Sequence, residues 1–269
     1  MNYYEQFDWM PDGILPFRIL GGIAQDRGPC IVIASGPSQN FLKENKWNKY
    51  ATISVNFSQK HFPSKLHAMQ DTSFLNKGFR WIFEYKCLSV GFFPISMNIY
   101  KTGWYRDRVL GFYTHCTDNK KDKIPSLFNN IHSPVYHTNS VLCGSKTILL
   151  AYQLGFNPII TIGFDGNCGT NGEYEYGNNH PQFGIYNPTA KKLVTDQEEW
   201  FIKWRKRLNI INCSTNYFGE HILPKKLRKV LTNYKPNGKV MDEIIDVYLS
   251  CVNNKIRNKF LKRRELHYG

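Results

Sequence analysis

The sequence predicts an α/β fold, a Rossmann-like and mostly parallel sheet with helices on both faces and inserted segments that form a lid. Three observations support this. Short runs of β-branched and apolar residues recur along the chain, they alternate with segments of helical periodicity, and several of them end in small or polar residues. Continuous apolar runs are typical of strands buried on both faces, as parallel strands are. The length of 269 residues is sufficient for one large domain.

Three parts are predicted along the chain. Residues 1–29 are rich in aromatic residues, Gly and Pro, and they are expected to form an arm that packs on the body. Residues 30–235 form the Rossmann-like domain, with insertions at 91–140 and 168–190. Residues 236–269 form a C-terminal amphipathic helix with a basic end.

The first predicted strand is Cys30–Ala34, and it runs into the turn Ser35-Gly36-Pro37-Ser38. A helix is predicted within 39–49, where Phe41, Leu42 and Trp47 fit one face. Such a turn exposes backbone N–H groups at the positive end of a helix dipole, which suits a phosphate. An ordinary strand-to-helix connection fits the tetrapeptide alone equally well. Neither the G-x-G-x-x-G fingerprint nor a Walker A loop is present.

Two further predicted strands, Thr52–Asn56 and Lys65–Asp71, also end in polar residues. Polar side chains at successive strand ends suit the recognition of a base and a ribose. Asn56 and Asp71 could instead cap the helices that follow. A fourth strand is predicted within 80–90, where aromatic residues alternate.

The segment 139–167 predicts a Gly/Ser turn, a helix from about Lys146 to Leu154 and a buried strand, Ile159–Ile162. This strand ends in glycines and in Asp165, which offers a carboxylate. Ligands of open α/β sheets bind beyond the carboxyl ends of the strands. We therefore expect this strand end and residues 35–38 to form two walls of one crevice.

The two insertions carry the remaining candidate residues. Residues 91–140 mix aromatic and basic side chains and are expected to form a lid or an acceptor-binding segment, although a solvated loop with aromatic anchors also fits. Residues 168–190 are rich in glycine and follow the strand end at Asp165, so they are predicted to be an active-site loop. His180 is the one histidine of that loop, and Tyr174 and Tyr176 are further groups that can handle protons.

The C-terminal part predicts a capped helix from Thr195 to Leu208, a strand at Asn209–Cys213 and a long helix at Val240–Leu261. The long helix ends in Lys262-Arg-Arg264. Such a tail could lie on a membrane surface or touch nucleic acid. Packing on the body is the default interpretation.

Lys and Arg number 35 against 21 Asp and Glu, which gives a formal charge of +14. Attraction to nucleotide phosphates, to nucleic acid or to a membrane surface is expected. The seven cysteines are scattered without the C-x-x-C pairs of zinc sites, which indicates free thiols in a reducing compartment. Neither a signal-peptide pattern nor a stretch of about 18 apolar residues is found, so a soluble, cytoplasmic protein is expected.

Four of these motifs together carry a resemblance to a known family. They are Ile31–Ser38, Val55-Asn56, Ala68–Ser73 and Gly144–Asp165. Over about Cys30 to Tyr217 the chain resembles the bacterial sialyltransferases of glycosyltransferase family 42, and it is similar to the related MptE-like pterin pyrophosphokinase group. The resemblance implies a metal-independent glycosyltransferase that uses a nucleotide-sugar as its donor substrate and needs no cofactor.

The resemblance also implies roles for individual residues. Donor binding is assigned to Ser35, Gly36, Pro37, Ser38, Asn56, Asp71, Cys143, Gly144 and Ser145, with Lys146 as a candidate partner of the phosphate. His180 is the candidate base, Tyr174 and Tyr176 are the candidates that stabilise the leaving phosphate, and Asp165 completes the candidate catalytic set. Gly166-Asn167 stand where the family has a tyrosine, which is why the two loop tyrosines are the nearest substitutes.

Three alternative functions remain open at this point. The acceptor could be nucleic acid, specifically DNA, in place of a saccharide, since the chain is strongly basic. The chain could be a Mg²⁺-dependent pyrophosphokinase of the pterin type. It could also be a nucleotide-binding protein without catalytic activity.

Overall fold

The computed structural model describes residues 20–44, 46–69, 87–92, 109–113, 143–165, 199–214, 227–251 and 258. Its strands are β1 (Cys30–Ile33), β2 (Ala51–Val55), β3 (Leu66–Met69), β4 (Leu88–Phe92), β5 (Val109–Tyr113), β6 (Ile159–Ile162) and β7 (Ile210–Asn212). Its α-helices are α1 (Ser58–His61), α2 (Cys143–Leu154), α3 (Leu227–Leu231) and α4 (Val240–Cys251). Residues 199–204 are also helical.

The seven strands form one sheet in the order β5-β4-β3-β2-β1-β6-β7, and all six neighbouring pairs are parallel. The chain builds outward from β1 to β5 and then returns to place β6 on the other side of β1. In such a sheet the point of reversal, here between β1 and β6, is where a crevice opens at the carboxyl ends of the strands. The predicted fold class is confirmed.

The two faces of the sheet are both covered, which explains why the strands read as continuous apolar runs. In β1, Cys30 and Val32 belong to the core under α2, α4 and the helical residues 199–204. Ile31 and Ile33 belong to the opposite core, together with Leu42 and the apolar residues of α3. Every residue of β1 is therefore buried, on alternating sides.

Two helix predictions need correction. Residues 39–49 do not form one α-helix but two 3-10 helices, Pro37–Glu44 and Trp47–Lys49. The first opens with an i to i+3 hydrogen bond from the N–H of Gln39 to the carbonyl of Gly36. The second correction concerns the helix predicted from about Lys146. It begins at Cys143, so the predicted Gly/Ser turn at 143–145 is the first turn of α2. The Thr147 hydroxyl donates to the Cys143 carbonyl one turn earlier, at 2.7 Å.

Strand β5 was missed by the sequence analysis, because it lies inside the segment 91–140 that was predicted to be a lid. It is short and has a central glycine, which weakens the strand signal. The fourth predicted strand does exist, but it spans Leu88–Phe92. Residues 80–86 and the loop 168–190 lie outside the described residues.

The described segment before β1 and helix α4 both pack on the body of the domain. The N–H groups of Gly22 and Ala24 donate to the carbonyls of Gln153 and Leu154 at the end of α2. The apolar face of α4 is buried in the core, with its residues Val240, Met241, Ile244, Ile245, Tyr248 and Leu249. No helix in the described part of the chain is long and apolar enough to cross a membrane.

The side chain of Asn237 forms hydrogen bonds with backbone groups at the amino ends of β1 and β2. Asn237, which precedes α4, accepts a hydrogen bond from the N–H of Ala51 at 2.9 Å. Its amide nitrogen donates to the carbonyls of Arg27 and Pro29, both at 2.8 Å. The segment before α4 is therefore part of the sheet's hydrogen bonding.

Candidate functional site

The two predicted walls of the crevice meet at the reversal point of the sheet. The N–H of Gly36, after β1, donates to the carbonyl of Gly163, after β6, at 2.9 Å. In return, the N–H of Gly163 donates to the hydroxyl of Ser38 at 2.8 Å. Both turns were predicted at this edge from the sequence, and in the structure they are in direct contact.

This contact requires glycine at two positions. A Cβ on Gly163 would lie 2.0 Å from the carbonyl oxygen of Ala34, and Gly163 also has a φ of +77°. A Cβ on Gly36 would lie 2.3 Å from a carboxylate oxygen of Asp165 and 2.6 Å from the carbonyl oxygen of Gly163. The two turns therefore approach each other more closely than any larger residue would allow.

Asp165 is buried at the centre of this contact, with only 2% of its surface exposed. Its carboxylate accepts a hydrogen bond from the N–H of Ser38 at 2.8 Å. A carboxylate that bonds to the first turn of a helix stabilises that turn, much as an N-cap does. Asp165 therefore orders the turn at residues 35–38 and occupies an N–H group that a phosphate could otherwise use. Its predicted catalytic role stays a prediction.

The amino end of α2 lies at the same edge of the sheet. The sulfur of Cys143 is 3.8 Å from the carbonyl oxygen of Ala68, near the end of β3. Gly144 packs so closely on Phe164, after β6, that a Cβ would lie 2.6 Å from the ring. The first turn of this 12-residue helix thus places backbone N–H groups and the positive end of the helix dipole at the carboxyl edge.

Lys146 adds a charge to the first turn of α2. Its side chain is 3% exposed, and no ion pair between described residues involves it. Burial lowers the pKa of Lys146 to about 8, and the nearby Cys143 offsets part of this effect. The ammonium group is therefore still mostly protonated at neutral pH. A buried cation at a helix amino end is a suitable partner for a phosphate.

The ends of β2 and β3 are fixed to each other through backbone and histidine contacts. Asn56 has a φ of +50°, and its N–H donates to the carbonyl of Ala68 at 2.9 Å. The carbonyl of Asn56 accepts a hydrogen bond from Nε2 of His67 at 3.0 Å. Asn56 is not the N-cap of α1, because that position belongs to Phe57 and has no side-chain cap. The capping alternative for Asn56 is therefore wrong.

His67 is fully buried in β3, and sequence reasoning gave it no role. Its Nδ1 lies 3.4 Å from the hydroxyl of Ser89 in β4. Burial lowers the pKa of His67 to about 4, while the hydrogen bond to the Asn56 carbonyl works in the opposite direction. The ring is therefore neutral at physiological pH. A histidine inside an apolar strand is the only sequence signal that could have drawn attention to it.

Two serines, Ser58 and Ser214, also form hydrogen bonds that join strand ends at this edge. The hydroxyl of Ser58 is 2.6 Å from the carbonyl oxygen of Ile33 and accepts from the N–H of Val55 at 2.9 Å. The hydroxyl of Ser214 accepts from the N–H of Phe164 at 2.8 Å. Each serine therefore links two neighbouring strand ends, β1 with β2 and β6 with β7.

The structure brings nine of the predicted site residues to one edge of the sheet. They are Ser35, Gly36, Ser38, Asn56, Cys143, Gly144, Ser145, Lys146 and Asp165. The backbone of Pro37 lies in the same turn. Asp71, Tyr174, Tyr176 and His180 lie outside the described residues, so their positions relative to the crevice stay predictions. Within the described ranges, no group of three His, Cys, Asp or Glu residues could hold a metal ion.

Comparisons with protein-family models, with curated proteins and with solved structures gave no match to this chain.

Proposed function

We propose that this protein is a metal-independent glycosyltransferase, which binds a nucleotide-activated sugar at the carboxyl edge of the sheet and transfers the sugar to an acceptor hydroxyl. One observation carries the proposal. The first turn of α2, with the buried Lys146, lies beside the crevice between β1 and β6. A helix amino end with a buried cation is suited to the phosphates of such a donor.

The hydrogen bonding at the edge suggests how the donor is oriented. Because the Asp165 carboxylate already occupies the N–H of Ser38, a second anion is disfavoured at that turn. The phosphates are then expected at α2 and Lys146. The nucleoside is expected over Ser35, Gly36 and the strand end at Asn56, beside the phosphates at the same edge of the sheet.

The transfer step needs a base for the acceptor hydroxyl and a cation for the leaving phosphate. In our proposal His180 takes the proton of the acceptor, as the resemblance to glycosyltransferase family 42 implies. The ammonium group of Lys146 and the N–H groups of α2 stabilise the departing nucleotide phosphate, with Tyr174 and Tyr176 as further donors. These groups supply the charge that a metal ion provides in other transferases.

A thermal-shift panel of CMP-, CDP-, UDP- and GDP-sugars with a chelator present tests the proposal. One nucleotide class should raise the melting temperature by about 5 °C at roughly 100 times its dissociation constant, because a ligand that binds only the folded state stabilises it. The stabilising donor should then be turned over with an acceptor under the same conditions. A chain that no nucleotide-sugar stabilises, or whose turnover stops without Mg²⁺, would contradict the proposal.

Lys146→Met should weaken donor binding about 30-fold, since a hydrogen bond to a charged group contributes about 2 kcal/mol. The free energy of unfolding without donor should not decrease, because the substitution removes a buried charge and keeps the shape. Wild-type affinity should also fall as the pH rises past about 8, where Lys146 loses its proton, and the variant should lack this fall. Isothermal titration at several pH values measures both effects.

Lys229→Met is the matched control, because Lys229 is an exposed lysine on α3. It should keep both the affinity and the pH dependence of the wild type. Equal affinities of the Lys146→Met variant and the wild type for the donor would remove Lys146 from the phosphate site.

A further inference from the structure

The amino ends of the strands, on the opposite edge from the crevice, carry a group of exposed cations. We call these residues the amino-edge surface: Lys46, Lys49, Lys206, Arg207, Lys235 and Lys239. They come from three separate parts of the sequence, and no sequence motif connects them.

The fold joins the first two parts through the start of β2. Lys46 and Lys49 lie in the segment that leads into β2. The carbonyl of Lys49 accepts a hydrogen bond from the N–H of Gly238 at 2.9 Å. This contact places Lys239 and Lys235 next to the two lysines before β2.

The third part lies at the start of β7, on the other side of β1. Lys206 and Arg207 lie in the turn that leads into β7, where the N–H of Ile210 donates to the carbonyl of Arg205 at 2.8 Å. The amide of Asn209 donates to Asn157, which precedes β6, and the N–H of Asn157 donates to the carbonyl of Gly28, which precedes β1. The cations thus lie along one continuous edge.

These cations are not neutralised by the carboxylates nearby. Asp242 and Glu243, on the first turn of α4, pair with Lys65 and Arg27. None of the six residues of the amino-edge surface forms an ion pair with another described residue. Asp26, in the exposed turn before β1, is a further carboxylate near this edge. The six positive charges of the amino-edge surface therefore face solvent without an ion pair to any described side chain.

The length of the edge suits the backbone of a double helix. From β2 to β7 there are three strand spacings, which together span about 14 Å. Over that length a duplex carries about eight phosphates, since both strands together have one charge per 1.7 Å of axis. Roughly four of them would face the protein. Exposed amide side chains beside the cations, Asn48 and Asn233, can also bond phosphate oxygens.

We propose that the amino-edge surface binds the phosphate backbone of duplex nucleic acid without reading its sequence. The two large exposed apolar side chains in the described part of the chain, Ile202 and Val247, lie on helices and outside the amino-edge surface. This favours a polyanion over a membrane, which usually also takes up apolar side chains. The surface is separate from the crevice, so this binding does not depend on the proposed glycosyl transfer.

The test is fluorescence anisotropy of a labelled duplex of mixed sequence, about 20 base pairs long, titrated with the whole chain. With about four phosphate contacts, affinity should fall about 100-fold between 50 and 200 mM salt. Lys49→Glu and Lys239→Glu should each weaken binding. Each should also reduce the slope of log affinity against log salt concentration by about one, the effect of one lost phosphate contact. The fourfold variant Lys46→Glu, Lys49→Glu, Lys235→Glu, Lys239→Glu should show no binding at 200 mM salt.

Lys60→Glu is the matched control, because this exposed lysine lies on α1 at the crevice edge and the charge change is the same. It should bind the duplex like the wild type, and circular dichroism should show that all variants are folded. Three results would overturn the proposal: no binding at 50 mM salt, equal weakening by Lys60→Glu and Lys49→Glu, or displacement of the duplex by vesicles with 30 mol% phosphatidylserine at a lower concentration than by unlabelled duplex.

Discussion

Gly163→Ala is expected to lower the free energy of unfolding by about 4 kcal/mol or more, which is enough to unfold many proteins. The added methyl group would lie 2.0 Å from the carbonyl oxygen of Ala34, and neither backbone can move away without breaking the pairing of β1 with β6. The φ of +77° adds the strain of the left-handed region. Urea unfolding followed by circular dichroism measures the loss.

Gly28→Ala is the control for Gly163→Ala, because it adds the strain of a positive φ without a close contact of the new methyl group. Gly28 also has a positive φ, of +90°, but its added methyl group would lie 3.4 Å from the amide nitrogen of Asn237, at an ordinary contact distance. We expect this variant to lose only about 1 to 2 kcal/mol, the cost of the conformation alone. If Gly163→Ala and Gly28→Ala lowered the free energy of unfolding equally, the close contact between the two crevice walls would be contradicted.

The second large effect is a loss of stability in acid that comes from His67. The unfolded chain protonates this histidine near pH 6.5, whereas the folded protein holds it neutral down to a pKa of about 4. Its contribution is therefore unchanged above pH 6.5 and decreases as the pH falls from 6.5 to 4. The total decrease is about 3 kcal/mol, at up to about 1.4 kcal/mol per pH unit. Urea unfolding at pH 7.5, 5.5 and 4.5 measures it.

Other groups titrate in the same range, so the assignment needs two variants. His67→Gln retains a donor for the Asn56 carbonyl but cannot become protonated, and its stability should fall less steeply below pH 6.5 than that of the wild type. His61→Gln replaces an exposed histidine and should retain the wild-type dependence. Identical curves for His67→Gln and the wild type would show that another group causes the acid loss.

Much of the fold could be predicted from the sequence, because strands that are buried on both faces are recognisable as continuous apolar runs. Strand β6 was predicted with the bounds that the structure shows, and β1 within one residue. Strand β5 was not predicted, because five residues with a central glycine give too weak a strand pattern. The strand order was also out of reach, because it depends on pairings between residues far apart in the chain.

The candidate site was predicted in outline for a related reason. The turns after β1 and β6 were recognisable because small residues follow apolar runs, and parallel topology brings such turns together. The hydrogen bond from Ser38 to Asp165 could not be foreseen, because it joins residues 127 positions apart. Because the sequence does not reveal this bond, the turn at residues 35–38 was predicted to bind the phosphate and Asp165 was predicted to be catalytic. The burial of Lys146 likewise follows from packing and not from any local pattern.

The hydrogen bonds of Asn237 also constrain the order in which the protein can fold during synthesis. Strands β1 and β2 are synthesised well before α4, yet the N–H of Ala51 is paired by a side chain 186 residues later. Until that residue and α4 have been made, one face of the central strands lacks its cover. Contacts of such long sequence separation slow folding and leave apolar strands exposed in the meantime. The nascent chain is thus expected to depend on chaperones until α4 is complete.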